Sequence, residues 1–179
     1  MATFFTSDSH YGHKKILHLG NGRPFKTVEE MDETMISRWN ERITWDDDVW
    51  FLGDFTFYNS TKTNEILSRL QGRKHLIWGN HDKPLRSKLD WFESEQHYKV
   101  IAVEGQKLIL FHFPILSWLD VGKGSWMLHG HCHSNLPAET DMARLDVGVD
   151  GHDFRPWSFP EIQRVLKNRH GLPGDHHDN

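Results

Sequence analysis

The chain has 179 residues, 37% hydrophobic and 26% charged, which suits a soluble globular protein with one core of its own. A formal net charge of −4 counts against broad binding to duplex nucleic acid, and a single cysteine, Cys132, excludes an internal disulfide. No run approaches the roughly 18–20 apolar residues that span a membrane. With no charged leader or long apolar stretch at the start, a cytoplasmic protein is expected.

A first strand is predicted over residues 2–7. Thr27-Val28-Glu29-Glu30 reads as a capping box that opens a helix. Met31, Met35, Ile36, Trp39 and Ile43 recur at helical spacing as its buried face. A second strand ends at Asp54. Residues 60–70 read as a helix, Gly72 stops it, and residues 74–78 form a third strand. Strand–helix–strand alternation implies parallel pairing. The second half changes character. Residues 99–103 and 107–111, separated by Glu104-Gly105-Gln106, read as a β-hairpin. Residues 126–129 and 144–149 are two more strands. Ser158-Phe159-Pro160-Glu161 is a second capping box, opening a last helix that runs to Arg169. One domain over residues 1–170 is expected, followed by a polar, mobile tail at 171–179.

Five of the apolar runs end on metal-binding residue types. They lead into Asp8-Ser9-His10, Gly53-Asp54, Gly79-Asn80-His81-Asp82, His112, and Gly130-His131-Cys132-His133. Ligands gather at the carboxyl ends of strands in α/β sheets. If these runs are neighbouring strands, seven oxygen and nitrogen ligands meet at one sheet edge and form a two-metal site. Residues i and i+2 of an extended segment point the same way, so Asp8 and His10 can reach one ion. His131 and His133 likewise share a side, which turns Cys132 away. The mixture of imidazole, carboxylate and amide suits Mn²⁺, Fe²⁺, Zn²⁺ or Ni²⁺ better than Ca²⁺, with Mn²⁺ preferred here.

The order D-x-H, G-D, G-N-H-D, H, G-H-x-H resembles that of the calcineurin-like metallophosphoesterase superfamily, from Asp8 to His133. Ser7-Asp8-Ser9-His10-Tyr11-Gly12-His13, Arg23-Pro24-Phe25 and Glu30-Met31-Asp32 also resemble a small bacterial and phage branch. A phage-encoded member would act in a host cytoplasm. The resemblance implies an α/β (α+β) fold, a two-sheet β-sandwich with flanking helices. It implies that Asp8, His10 and His133 hold one divalent ion, that Asn80, His112 and His131 hold a second, and that Asp54 bridges them. Water bridging the ions is then the nucleophile. His81 faces the substrate, stabilising phosphoryl charge or protonating the leaving oxygen. Asp82 is placed to orient His81 if the turn brings them together.

Other residues keep two readings. Arg23 either grips a substrate phosphate with its fork or caps helix 27–43 as a loop arginine. Tyr11, His13 and Lys14 either line the mouth or form a solvated helix start. Trp118 stacks on a base or packs under its loop. Asp146 and Asp150 support the ligands or only shape turns, and Cys132 is a small filler. The leading expectation is a phosphodiesterase for a small or cyclic nucleotide-like substrate. A phosphomonoesterase or phosphoprotein phosphatase is the alternative. A non-catalytic scaffold and a nuclease for long DNA are disfavoured, because no ligand is missing and no basic stripe is visible.

Overall fold

The computed structural model describes residues 1–20, 22–87, 89–136 and 142–170. The tail expected at 171–179 lies outside the described residues. Strands β1 (Thr3–Thr6), β2 (Asp48–Phe51), β3 (Arg73–Ile77) and β4 (Ser94–Gln96) pair in parallel, in the order β4-β3-β2-β1. A two-residue strand at Trp157–Ser158 closes the other edge, antiparallel to β1. The second sheet contains β5 (Tyr98–Val103), β6 (Gln106–Phe111), β7 (Trp126–His129) and β8 (Arg144–Asp146). The edge strand at Trp157–Ser158 is β9.

Alternation along the first sheet assigns its faces. Phe4, Val49, Phe51 and Leu76 point to one side, and Phe5, Trp50, Leu52 and Ile77 to the other. The first set packs under α1 (Val28–Asn40) and α2 (Ser60–Arg69). The second packs against Leu108, Leu110, Met127 and Leu128 of the other sheet and against α3 (Phe159–Leu166). Both faces of the first sheet are therefore covered, as a parallel sheet requires.

Local signals set the boundaries. The Thr27 hydroxyl accepts from Glu30 N at 3.1 Å, which starts α1. Glu30 reaches back to Lys26 N instead of Thr27 N, so only half of the expected box closes. The helix also stops three residues before Ile43. The Asn40 side chain turns there to bond Arg69 O and Gln71 N, tying the end of α1 to the end of α2. Ser158 and Glu161 form the full capping box of α3. That helix ends at Leu166, short of the expected Arg169. In the β5–β6 hairpin Val103 faces Gln106, so the turn is two residues, Glu104 and Gly105, with φ of 49° and 84°. Positive φ at both positions matches the twist of the flanking strands. The pairing of β6 with β7 and of β7 with β8 is parallel, a sense the sequence reading left open for these two strands.

Candidate metal centre

The ligand-type residues do not meet at one sheet edge. They converge where the carboxyl ends of both sheets come together: Asp8, Asp54 and Asn80 follow β1, β2 and β3, while His112 and His131 follow β6 and β7. Close approach of these loops demands glycine. A Cβ on Gly53 would lie 2.6 Å from Gly79 Cα and 2.7 Å from His112 Nδ1, and φ of 90° there also favours glycine. The loops are not extended, contrary to the spacing argument. Asp8, His10, Asp54, His131 and His133 all have φ between 49° and 70°. In that left-handed geometry His131 and His133 part company and join different groups.

The first group is Asp8, His10 and His133, and the second is Asp54, His112 and His131; within each, the potential ligand atoms lie within 4.8 Å of one another. His10 Nε2 stands 3.8 Å from Asp8 Oδ1, and His133 Nε2 stands 3.9 Å from the same oxygen. Asn80 Oδ1 joins the second group, 3.0 Å from both His112 Nε2 and His131 Nδ1. Asp54 links the groups through one oxygen: its Oδ2 is 3.7 Å from His10 Nε2 and 3.6 Å from His112 Nε2. Its other oxygen accepts the His81 N–H at 2.8 Å.

The donors fit divalent cations. Asp8 Oδ1 and both ring nitrogens of His10 are buried without a hydrogen-bond partner, which is costly unless a cation faces them. His112 Nδ1 donates to Leu52 O at 2.7 Å, so a neutral ring turns the Nε2 lone pair on the Asn80 oxygen. Two acceptors at 3.0 Å call for positive charge between them. Burial pushes His10 and His131 below the ordinary histidine range, which keeps them neutral as ligands must be. Burial also drives Asp8 upward, but His10, His133 and His112 outweigh it and hold the carboxylate ionised.

Buried polar residues hold these ligands from behind. Asp150 Oδ2 accepts from His133 Nδ1 at 2.8 Å, leaving Nε2 for the first group. Arg23 is 4% exposed and spends its fork inside the protein: on both Asp150 oxygens at 2.8 and 2.9 Å, on Ser9 O at 2.8 Å and on Asp8 O at 2.7 Å. It is neither a free phosphate clamp nor a cap of α1. Burial raises Asp150, yet His133 and Arg23 prevail and hold it down at about 2. Asp82 does not orient the His81 ring. It is buried, and its carboxylate accepts from Gly79 N at 2.7 Å, Asp54 N at 2.9 Å and Phe55 N at 2.8 Å, fastening two ligand loops together.

Around the first group opens a cavity of about 620 Å³, lined by His10, His13, His81 and His133, by the Arg23–Asp150 pair, and by Ile16 and Phe154. His81 is exposed there. Phe57, which the sequence reading passed over, stacks on His13 at 4.1 Å and on His10 at 5.4 Å, with His81 5.1 Å away. No periodicity announces it, because Phe55 and Thr56 are both buried while Phe57 is 41% exposed. Burial, with His10 and His81 nearby, pushes His13 down to about 4, so it is a neutral wall of the mouth. Lys14 is exposed outside that lining, and Tyr11 is buried in the core. Trp118 is buried too, its indole N–H donating to Ser125, which is the packing reading. Asp146 shapes a turn through Ser134 N and Gly148 N.

No family model matches the chain. An uncharacterized protein of Methanocaldococcus jannaschii is 32% identical over 171 residues, covering 92% of this chain and 90% of that protein. The gene 66 protein of mycobacterium phage L5 is 30% identical over 208 residues, covering 97% and 98%. Among solved structures, a protein of unknown function from Aquifex aeolicus superposes with a TM-score of 0.76 at 26% identity, over 92% of this chain and 99% of that one. A novel archaeal phosphodiesterase shares the fold at a TM-score of 0.52 and 18% identity, over 83% and 82%. The chain belongs to one family with the archaeal and phage relatives, and its fold and motif order are like those of calcineurin-like metallophosphoesterases.

Proposed function

We propose that the chain is a phosphodiesterase dependent on two divalent metal ions. The observation that carries this reading is Asp54 Oδ2, held 3.7 and 3.6 Å from histidines of two separate ligand groups. Asp8, His10 and His133 would hold one ion, Asn80, His112 and His131 the other, with Asp54 shared by the two groups. Divalent ions, Mn²⁺ in the first instance, would supply charge to neutralise phosphoryl oxygens and a means of acidifying water as nucleophile.

The chain's own residues do the rest. The His81 backbone N–H fixes Asp54 while its ring faces the cavity, where it donates a proton to the departing oxygen. Phe57 and His13 wall that side and restrict water. A diester is favoured because Arg23, the cation that lines the cavity at His81, is already committed to Asp150 and two carbonyls. A monoester dianion needs added positive charge at the phosphoryl group, whereas a diester monoanion is matched by two ions with His81. The substrate is a small or cyclic nucleotide-like diester.

The test is kcat/KM on bis-p-nitrophenyl phosphate and p-nitrophenyl phosphate, using one metal and one pH. A diester preference is expected. A monoester preference above about tenfold, about 1.4 kcal/mol of transition-state stabilisation, overturns it.

A further inference from the structure

A second cavity, of about 430 Å³, opens at Asn80 and is lined by a different set of residues from the cavity at His81. Trp78, Asn80, Lys83, Arg86 and His97 line it. Its composition differs from the first. In the first, the arginine, Arg23, is paired with Asp150 among histidines and apolar side chains. The second carries two cations on the turn just after the Gly79–Asp82 block. Lys83 and Arg86 are exposed, and among the described residues neither meets a carboxylate within ion-pair distance. The Asp82 carboxyl, the acid in the lining, is spent on three backbone N–H groups. Trp78 is half-buried, and its indole N–H donates to Glu95, which fixes the plane of the ring.

Asn80 belongs to both the second ligand group and this cavity. Each ligand group therefore adjoins a cavity of its own, the first group the cavity of His10 and His133 and the second the cavity of Asn80. His81 lines the first, so the arm that leaves with a proton goes there. The cavity at Asn80 is left for the other arm of the diester. A guanidinium and an ammonium side by side recognise phosphate, and a fixed indole is a platform for a base.

We propose that this cavity is a subsite for the non-leaving arm of the substrate, a nucleoside that carries a second phosphate. The proposal deepens the phosphodiesterase reading and rests on it: the substrate class becomes phosphorylated nucleoside diesters, with Lys83 and Arg86 on the distal phosphate and Trp78 on the base. It also explains two free cations in a chain with a net charge of −4. They are placed for one substrate group, not for the length of a duplex.

The experiment compares two chromogenic diesters, the p-nitrophenyl ester of thymidine 5′-phosphate and the same ester bearing a 3′-phosphate. The added phosphate should raise kcat/KM at least tenfold, chiefly through KM. Lys83→Ala combined with Arg86→Ala should erase that gain and leave bis-p-nitrophenyl phosphate turnover within twofold. Calorimetric binding of thymidine 3′,5′-bisphosphate to the metal-free protein gives a readout independent of turnover, and the double variant should lose at least tenfold in affinity. Equal binding by wild type and variant, or equal rates on the two esters, overturns the subsite. Wild-type protein that binds the bisphosphate through Lys83 and Arg86 yet hydrolyses no diester retains the subsite and overturns the catalytic reading instead.

Discussion

Replacing Arg23 by alanine separates its two possible roles. Arg23 is 4% exposed, paired with Asp150 and bonded to the Ser9 and Asp8 carbonyls. Removal leaves a half-buried carboxylate without its arginine and two buried carbonyls without donors. Breaking one side of a buried pair costs about 3–5 kcal/mol. Urea slopes of roughly 1–3 kcal/mol per molar are usual, so a mid-range slope gives a midpoint drop of about 1.5–2.5 M. Thermally, a chain of this size loses about 2–4 °C per kcal/mol, so the melting point should fall by roughly 6–20 °C. Arg23→Lys should recover only part of the loss, because an ammonium cannot grip both Asp150 oxygens and two carbonyls together. The assay is urea unfolding of metal-free protein followed by fluorescence, with equal slopes as the check on two-state behaviour. A loss below about 1 kcal/mol, together with a selective loss of monoester turnover, refutes the reasoning and returns Arg23 to the substrate.

His81→Ala should keep both metals and lose roughly two to four orders of magnitude in turnover, with a smaller loss for p-nitrophenolate than for alkoxide leaving groups; equal losses replace the acid role with phosphoryl charge support. Asp54→Ala should lose both ions in calorimetric titration, whereas Asp8→Ala should mainly empty one site; a wild type that saturates at one ion removes the dinuclear reading. Glu161 titrates away from the ligands. Burial raises it, but Ser158 and Arg42 dominate and hold it down at about 2. A depressed carboxyl contributes stability above its unfolded pKa of about 4.3, and that contribution is lost as pH falls through about 2. Urea midpoints of Glu161→Gln should therefore change less between those limits than those of the wild type.

The ligand blocks were legible because each ends an apolar run, and strand ends are where loops face a common rim. Residues 2–7 and 74–78 correspond to β1 and β3 for the same reason, and the strand expected to end at Asp54 corresponds to β2, which stops at Phe51. What sequence could not show is whatever depends on distant partners. Arg23 and Asp150 are 127 residues apart, so nothing near Arg23 announces the pair. Asp82 looked bound to its neighbour His81, yet its partners at positions 54 and 55 arrive through sheet packing. The i, i+2 argument assumed extended backbone, and left-handed turns sent His131 and His133 to different groups. Parallel pairing of β6 with β7 was hidden because the intervening segment contains no helix long enough to announce a crossover. Lys83 and Arg86 carry no signal of their own, because two exposed cations after a turn read as ordinary solvated surface.

The left-handed backbone at five ligand-type positions has a cost to the fold. Each such non-glycine residue carries on the order of 1–3 kcal/mol of strain, lessened because aspartate and histidine tolerate this region better than most. Glycine would relieve it. His131→Gly and His133→Gly should thus raise the melting temperature of the metal-free chain while weakening metal uptake. A screen that selects only for heat resistance would discard these histidines, and one that selects for metal loading would retain them. Stability and activity are opposed at the same backbone positions, and the surrounding sheets supply the surplus that lets the chain keep both.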